Sequence, residues 1–286
     1  MIKDFDPGIL KKLYIPPPNS HKGQNGKLMV IGGSRLFHAA SLWSLKVASR
    51  ILDMVYYSSV PENNEIVQRA KQEFRNGIIV KRKNLDSYIN EADCILIGPG
   101  LPRIEGQEVG DDDTKELTES LLKKYPEKKW VIDGGSLQTM DPQFIPKNAI
   151  LTPHHKEFEL LKFKVQNSKF KITIQNLKLE EQVRIFAKEY SCTVLLKGPT
   201  DVVCDKNKCV GIKGGNAGMT KGGTGDVLAG LIAALYCKND DQFLVASAGS
   251  FINKKAGENL FKKVGYYFNS SDLVDEIPRV MKSLSF

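Results

Sequence analysis

The stretch Gly214-Gly215-Asn216-Ala217-Gly218-Met219-Thr220-Lys221-Gly222-Gly223-Thr224-Gly225-Asp226 runs directly into the apolar segment Val227 to Leu235. A glycine-rich turn that opens a helix leaves backbone N–H groups unpaired at the positive end of the helix dipole, where a phosphate or a developing oxyanion is stabilised. Gly222, Gly223, Thr224 and Gly225 are therefore the expected anion-binding loop, with Asn216 a further candidate for substrate contact. Asp226 is the expected catalytic residue. The field at a helix start favours its ionised form, which can take a proton from a substrate hydroxyl as a phosphoryl group arrives. An aspartate there is also an ordinary N-cap, but a cap does not require the glycines that precede this one.

Two further segments carry candidate chemistry. Val194-Leu195-Leu196-Lys197-Gly198-Pro199-Thr200-Asp201 is an apolar strand ending in a lysine and a turn. Lys197 is placed to meet a phosphate at the strand's carboxyl edge, and Gly198 lets the backbone approach a nucleotide, although a plain hairpin turn has the same appearance. Ile150-Leu151-Thr152-Pro153-His154-His155-Lys156-Glu157 is a strand that breaks at Pro153 before a helix beginning near Glu157. The adjacent histidines lack the i,i+4 spacing of a helical zinc pair, so His154 reads as a substrate contact and not as a metal ligand.

The elements that must position these groups alternate strand and helix. The expected strands are Lys27 to Ile31, Val55 to Ser58, Cys94 to Ile97, Trp130 to Asp133, Ala149 to Leu151 and Thr193 to Leu196, with a hairpin over Asp201 to Ile212. The expected helices run from Ala39 to Leu52, Glu65 to Phe74, Thr114 to Lys123, Leu179 to Tyr190 and Asp226 to Tyr236. Such alternation predicts an α/β fold, a mostly parallel sheet with helices on both faces, in which loops beyond the strands' carboxyl ends gather along one edge and bind ligands. Residues 1–26 read as an N-terminal extension, mostly loop with Pro16-Pro17-Pro18, and residues 27–286 as one domain.

Composition narrows the class of partner. A chain of 286 residues with 41% hydrophobic and 26% charged content can bury a large core. It contains neither a membrane-spanning run nor an apolar leader, so a cytoplasmic address and no membrane partner are expected. The net charge of +8 suits phosphorylated small molecules. Its lysines are dispersed and not interleaved with aromatics, which argues against nucleic acid. The five cysteines are scattered. Cys204 and Cys209 are spaced as a possible hairpin pair, but neither metal nor redox chemistry is expected of them.

Taken in order, His21-Lys22-Gly23 to Gly32-Gly33-Ser34, Gly98-Pro99-Gly100, Leu151-Thr152-Pro153-His154 with Glu157, Leu196-Lys197-Gly198, and Gly215-Asn216 through Asp226 resemble the NAD(P)H-hydrate dehydratase family over roughly residues 20–280. Gly223-Thr224-Gly225-Asp226 is shared with ribokinase-like kinases, whereas Thr152-Pro153-His154 with Gly215-Asn216-Ala217-Gly218-Met219 points to the dehydratases. The resemblance implies a ribokinase-like fold and ADP- or ATP-dependent dehydration of the S epimer of hydrated NADH or NADPH, with release of phosphate. It implies that Ala40, Gly100, His154 and Asp226 touch the hydrated dinucleotide, and that Lys197, Gly198, Pro199, Thr200, Asp201 and Gly225 hold the adenylate. Mg²⁺ is expected with the nucleotide. A homo-oligomer, possibly a tetramer, is implied, with epimerisation left to a separate protein or to spontaneous interconversion. Two positions depart from the family pattern: Asp133-Gly134-Gly135-Ser136 lacks a second acid, and Ile51-Leu52 stands where relatives have glycine. The competing expectations are a kinase of the same fold acting on a vitamin precursor or sugar, which would release a phosphorylated alcohol, and a non-catalytic nucleotide-binding protein, which would turn over nothing.

Overall fold

The computed structural model describes residues 2–70, 76–103, 106–165, 174 and 177–284. Its strands are β1 (Lys3–Asp4), β2 (Lys27–Ile31), β3 (Met54–Ser58), β4 (Ile78–Ile79), β5 (Cys94–Ile97), β6 (Lys129–Ile132), β7 (Ile150–Leu151), β8 (Thr193–Leu196), β9 (Asp201–Cys204) and β10 (Cys209–Ile212). The helices are α1 (His38–Ala48), α2 (Pro61–Ala70), α3 (Leu85–Glu91), α4 (Thr114–Lys124), α5 (Gly134–Thr139), α6 (His155–Lys164), α7 (Leu179–Glu189), α8 (Thr224–Lys238), α9 (Gln242–Val264) and α10 (Ser270–Ser283). The strands form one sheet in the order β1-β10-β9-β8-β7-β6-β5-β2-β3-β4. Pairing is parallel except where β9 meets β8 and β10.

The short apolar runs are strands because both of their faces are covered. Leu28, Val30, Leu96, Val131 and Leu195 point into a core shared with α1, α8, α9 and α10. Their neighbours Met29, Ile31, Ile97, Ile132 and Leu196 point into a second core beneath α3 to α7. Helix α8 is buried along nearly its whole length. Its approach to α1 depends on Gly230, where a Cβ would lie 2.6 Å from the Cα of Ser44.

Several boundaries differ from the sequence expectation. The segment before Lys27 is part of the fold: β1 pairs with β10, and Leu10 and Leu13 are buried in the first core. Helix α1 stops at Ala48, after which turn hydrogen bonds fold Leu52 back toward the core. Helix α2 starts at Pro61, a residue pre-set for a helix's first turn, and the expected continuation through 71–74 lies outside the described residues. Strand β6 ends at Ile132, because Gly134 takes a left-handed turn (φ 51°) that leads into α5. Cys204 and Cys209, spaced as a possible hairpin pair, lie directly opposite on β9 and β10 and form a disulfide. Among the described residues no helix is long and apolar enough to cross a membrane.

Candidate active site

Helix α8 begins two residues earlier than the sequence pattern suggested, and this changes the position of Asp226. Its N-cap is Gly223, with φ 93°, a left-handed conformation in which an added Cβ would sit 2.2 Å from the Trp43 ring. Asp226 is therefore not the cap but lies inside the first turn, with its carbonyl held by Ser44 Oγ at 2.7 Å. The Thr224 hydroxyl is committed to the carbonyls of Met219 and Lys221, which fixes the loop. Among the described residues the N–H groups of Gly222, Gly223 and Gly225 find no acceptor. That row of free donors at a helix N-terminus is an anion site.

Behind Asp226 lies a buried charge cluster assembled from three strand ends. Asp133, the first residue beyond β6, is 3% exposed, and its Oδ1 accepts Lys197 Nζ at 2.9 Å and Thr152 Oγ1 at 2.8 Å. Lys197, the first residue beyond β8, also approaches Glu157 Oε2 at 3.9 Å. Glu157 is held in turn by Gln138 Nε2 at 2.9 Å and by the His154 N–H at 2.8 Å. His154 caps α6, accepting the Glu157 N–H on Nδ1, so this pair forms a reciprocal capping box. Lys197 N donates to Pro153 O at 2.8 Å, which runs the two strand-end loops side by side.

This surrounding sets the proton affinities. Burial, followed by the charge of Asp133, pushes the Asp226 carboxyl up to about 7, with Lys197 pulling the other way. For Lys197, burial works to lower the value but is outweighed by Asp133, Glu157 and Asp226, so the ammonium is held charged. A half-buried carboxylate poised near neutrality beside a free anion site has the properties of a general base.

A cavity of about 800 Å³ opens beside this cluster, lined by residues that include His154, Lys197, Gly198, Pro199, Asp201, Asn216, Thr224, Gly225, Leu228, Asn253 and Lys254. Its size suits a nucleotide-sized ligand. The sequence-derived candidates divide into three groups. His154, Lys197, Gly198, Pro199, Asp201, Asn216, Thr224 and Gly225 meet at this cavity. Gly222 and Gly223 form the turn at its edge, and Thr200 is exposed outside its lining. Ala40 and Gly100 pack against each other, with a Cβ on Gly100 lying 3.0 Å from that of Ala40. Ala40 stands one turn of α1 before Ser44, hence about 6 Å along the helix from the residue that holds Asp226. Asp226 thus stands next to Gly225 of the cavity lining and, through Ser44, near the Ala40–Gly100 contact.

Several expected ligands are occupied by the protein itself. Asp201 spends Oδ1 on the Gly198 N–H and Oδ2 on Ser250, and Asn216 caps a short 3₁₀ turn while donating to Gly257 O. Lys254, overlooked in the sequence, donates to the carbonyls of Gly198, Pro199 and Gly214, and so ties two cavity walls together. Asp133 was visible only as the remnant of an acid pair. The glycine that replaces its partner is sterically required here, because a Cβ on Gly135 would lie 2.2 Å from Leu101 O. Among the described residues no cluster of three or more carboxylate, histidine or cysteine ligands forms a metal cage. Asp133 and Glu157 are already engaged by Lys197.

Comparison with known proteins is consistent with this geometry. A family model described as NAD(P)H-hydrate dehydratase matches residues 28–279. The chain is 36% identical over 285 residues to a bifunctional NAD(P)H-hydrate repair enzyme of Methanocaldococcus jannaschii, covering 96% of this chain and 52% of that protein. It is 34% identical over 291 residues to an ADP-dependent (S)-NAD(P)H-hydrate dehydratase of Nitrosopumilus maritimus, covering 96% of this chain and 95% of that one. The chain thus spans about half the length of the bifunctional relative and nearly all of the single-activity one. In fold it resembles a ribokinase-like superfamily protein of Enterococcus faecalis, with TM-score 0.80, 22% identity and coverage of 99% and 96% of the two chains. It also resembles an ADP/ATP-dependent NAD(P)H-hydrate dehydratase of Bacillus subtilis co-crystallised with ATP/Mg²⁺, with TM-score 0.79, 21% identity and coverage of 99% of each.

Proposed function

Because the chain belongs to the NAD(P)H-hydrate dehydratase family, we propose that it uses ADP or ATP to dehydrate the S epimer of hydrated NADH or NADPH, restoring the cofactor and releasing phosphate. The observation that carries this reading is the position of Asp226, a carboxylate raised to about 7 next to Gly225 of the nucleotide-sized cavity, near the Ala40–Gly100 contact and beside unpaired N–H donors. The nucleotide lies in the cavity with its terminal phosphoryl group on the Gly222 to Gly225 turn. The hydrated nicotinamide occupies the Ala40–Gly100 side and presents its ring hydroxyl to Asp226.

Asp226 takes the hydroxyl proton as the oxygen attacks the terminal phosphorus, and the nucleotide leaves one phosphate shorter. The transition state needs positioning and charge stabilisation more than a strong base, so a carboxylate half-ionised at neutral pH suffices. The ring nitrogen then pushes its electron pair toward the carbon bearing the phosphate, the C–O bond breaks, and inorganic phosphate departs. Loss of a proton from the adjacent ring carbon completes the double bond. Mg²⁺ would arrive with the nucleotide phosphates and would supply neutralisation of their charge during the transfer.

The test is recovery of the reduced nicotinamide's near-ultraviolet absorbance from hydrated NADH in the presence of ADP or ATP, with free phosphate measured in parallel. Equal amounts of restored cofactor and phosphate are expected. A phosphorylated alcohol as the final product would assign the protein to the kinases, and no turnover by folded protein would leave a binding protein. Asp226→Asn should lower the rate by about 10²–10⁴-fold, and near-normal turnover by that variant would remove Asp226 from the mechanism.

A further inference from the structure

Lys254 lies in the middle of α9 and lines the cavity, yet its side chain is only 9% exposed. An ammonium has three N–H groups. Those of Lys254 meet the carbonyls of Gly198 and Pro199, both at 3.1 Å, and of Gly214 at 3.3 Å. No donor is left over for a nucleotide phosphate, so this lysine is not a phosphate ligand even though it lines the cavity. The first two carbonyls belong to the turn between β8 and β9, and the third to the segment that leaves β10. The same Nζ stands 3.4 Å from Asp201 Oδ1 and supplies a counter-charge to a carboxylate that is itself buried. The stem is used as well. Gly214 and Gly215 turn with φ 109° and 74°, and a Cβ on Gly215 would lie 3.4 Å from Lys254 Cγ, so this turn lies against the lysine's methylenes.

These contacts join two turns that the whole β9–β10 hairpin separates in the chain. We propose that Lys254 is a positioning residue whose charge clamps the Gly198–Asp201 turn to the Gly214–Asn216 turn, and so fixes the width of the cavity in which the nucleotide lies. Its neighbours one turn away on α9 support the clamp without carrying charge: Ser250 donates to Asp201 Oδ2, and the Gly257 carbonyl accepts from Asn216. The anion loop beyond Asn216 has anchors of its own. Thr224 Oγ1 donates to the carbonyls of Met219 and Lys221, and Ser270 Oγ to that of Gly222 at 2.8 Å. Without the ammonium, three carbonyl dipoles and a carboxylate face one another across a cation-free gap, so the two turns part while the phosphate end stays in place. The inference rests on the cavity being the nucleotide site of the proposed reaction.

The experiment compares wild type with Lys254→Ala and Lys254→Met well below their melting temperatures, by calorimetric titration with ADP and with pyrophosphate and by turnover of hydrated NADH. Each measurement is made with propylammonium and, at equal ionic strength, with tetramethylammonium, which has no N–H. Alanine removes the atoms that propylammonium reproduces and leaves their space open to the cavity, whereas methionine fills that space without charge. Both variants should bind ADP at least about tenfold more weakly and turn over about 10–10²-fold more slowly. They should hold pyrophosphate within about threefold of wild type. Propylammonium should raise the ADP affinity of Lys254→Ala at least about threefold and leave Lys254→Met and wild type unchanged, and tetramethylammonium should raise none of them. Unchanged ADP affinity in a folded variant, equal losses for ADP and pyrophosphate, or no recovery of Lys254→Ala with the amine would each overturn the assignment. Where only Lys254→Met folds, its contrast between ADP and pyrophosphate decides, and failure of both variants to fold would make Lys254 a tie of the fold alone and overturn it too. Amine-restored ADP binding by a protein that dehydrates nothing would leave the clamp standing and remove the proposed activity. Undiminished turnover by Lys254→Ala without the amine would do the reverse.

Discussion

Replacing Lys197 by methionine removes the ammonium held among Asp133, Glu157 and Asp226 while preserving most of the side chain's bulk. With the ammonium in place, Asp226 sits at about 7 and is half-ionised at neutral pH. An opposite charge at this kind of range shifts a carboxyl by roughly 1–3 units, so its loss should move Asp226 upward by on the order of 1–2 units. The ionised fraction at pH 7 then falls from about one half to between about 9% and 1%, which lowers the rate there by about fivefold to fiftyfold. The assay is the pH dependence of turnover at saturating nucleotide. The acid limb of wild type should have its midpoint near 7, and that of the variant should move higher, with much of the activity recovered at alkaline pH. Leaving Asp133 buried without its partner is strongly destabilising, so folding is checked by circular dichroism at each pH, and Lys197→Arg serves as the charge-preserving control. An unshifted limb with weaker ADP binding at every pH would refute this role and return Lys197 to being a direct nucleotide ligand.

Further outcomes follow from the same geometry. Because the folded-state value of Asp226 lies above its ordinary 3.8, the folded protein holds a proton that the unfolded chain has lost. Stability therefore falls as pH rises from about 4 to about 7, and Asp226→Asn should relieve at most about 4 kcal/mol above that window. Melting temperatures of both proteins at pH 5 and pH 9 check this, and an equal gap at the two pH values would contradict it. His154→Asn keeps a good N-cap for α6 but removes the imidazole, so KM for the hydrate should rise with little change in melting temperature. Gly223→Ala should lower both stability and activity, since the added methyl meets Trp43 in a left-handed backbone. Gly135→Asp should destabilise the protein and restore no acid function, because its Cβ meets Leu101 O; a stable, more active variant would show that the turn can open.

Much of the architecture was legible because each parallel strand is a short apolar run bounded by turn residues, and the spans of β5 and β8 are those the pattern indicates. The less legible elements were those with weak local signals. Strand β4 is two residues long, α5 opens with two glycines, and the N-terminal strand pairs with a partner some two hundred residues away. The site divided in the same way. Gly222 to Asp226 and the strand ends at His154 and Lys197 stand out, because glycine clusters and polar residues after apolar runs mark the carboxyl edge of a sheet.

Partnership was what the sequence could not convey. Lys197, expected to meet a phosphate, is also the counter-ion of Asp133, and Asp201, expected to hold the adenylate, has both oxygens engaged by Gly198 and Ser250. Which polar groups remain available depends on contacts between β6, β7, β8 and α9, which lie far apart in the chain. In this fold the unpaired N–H row before α8 marks an anion site more clearly than the charged residues beside it. Those charges instead set the proton affinity of Asp226, so substitutions among them should appear first in pH profiles and those at the unpaired groups first in nucleotide affinity.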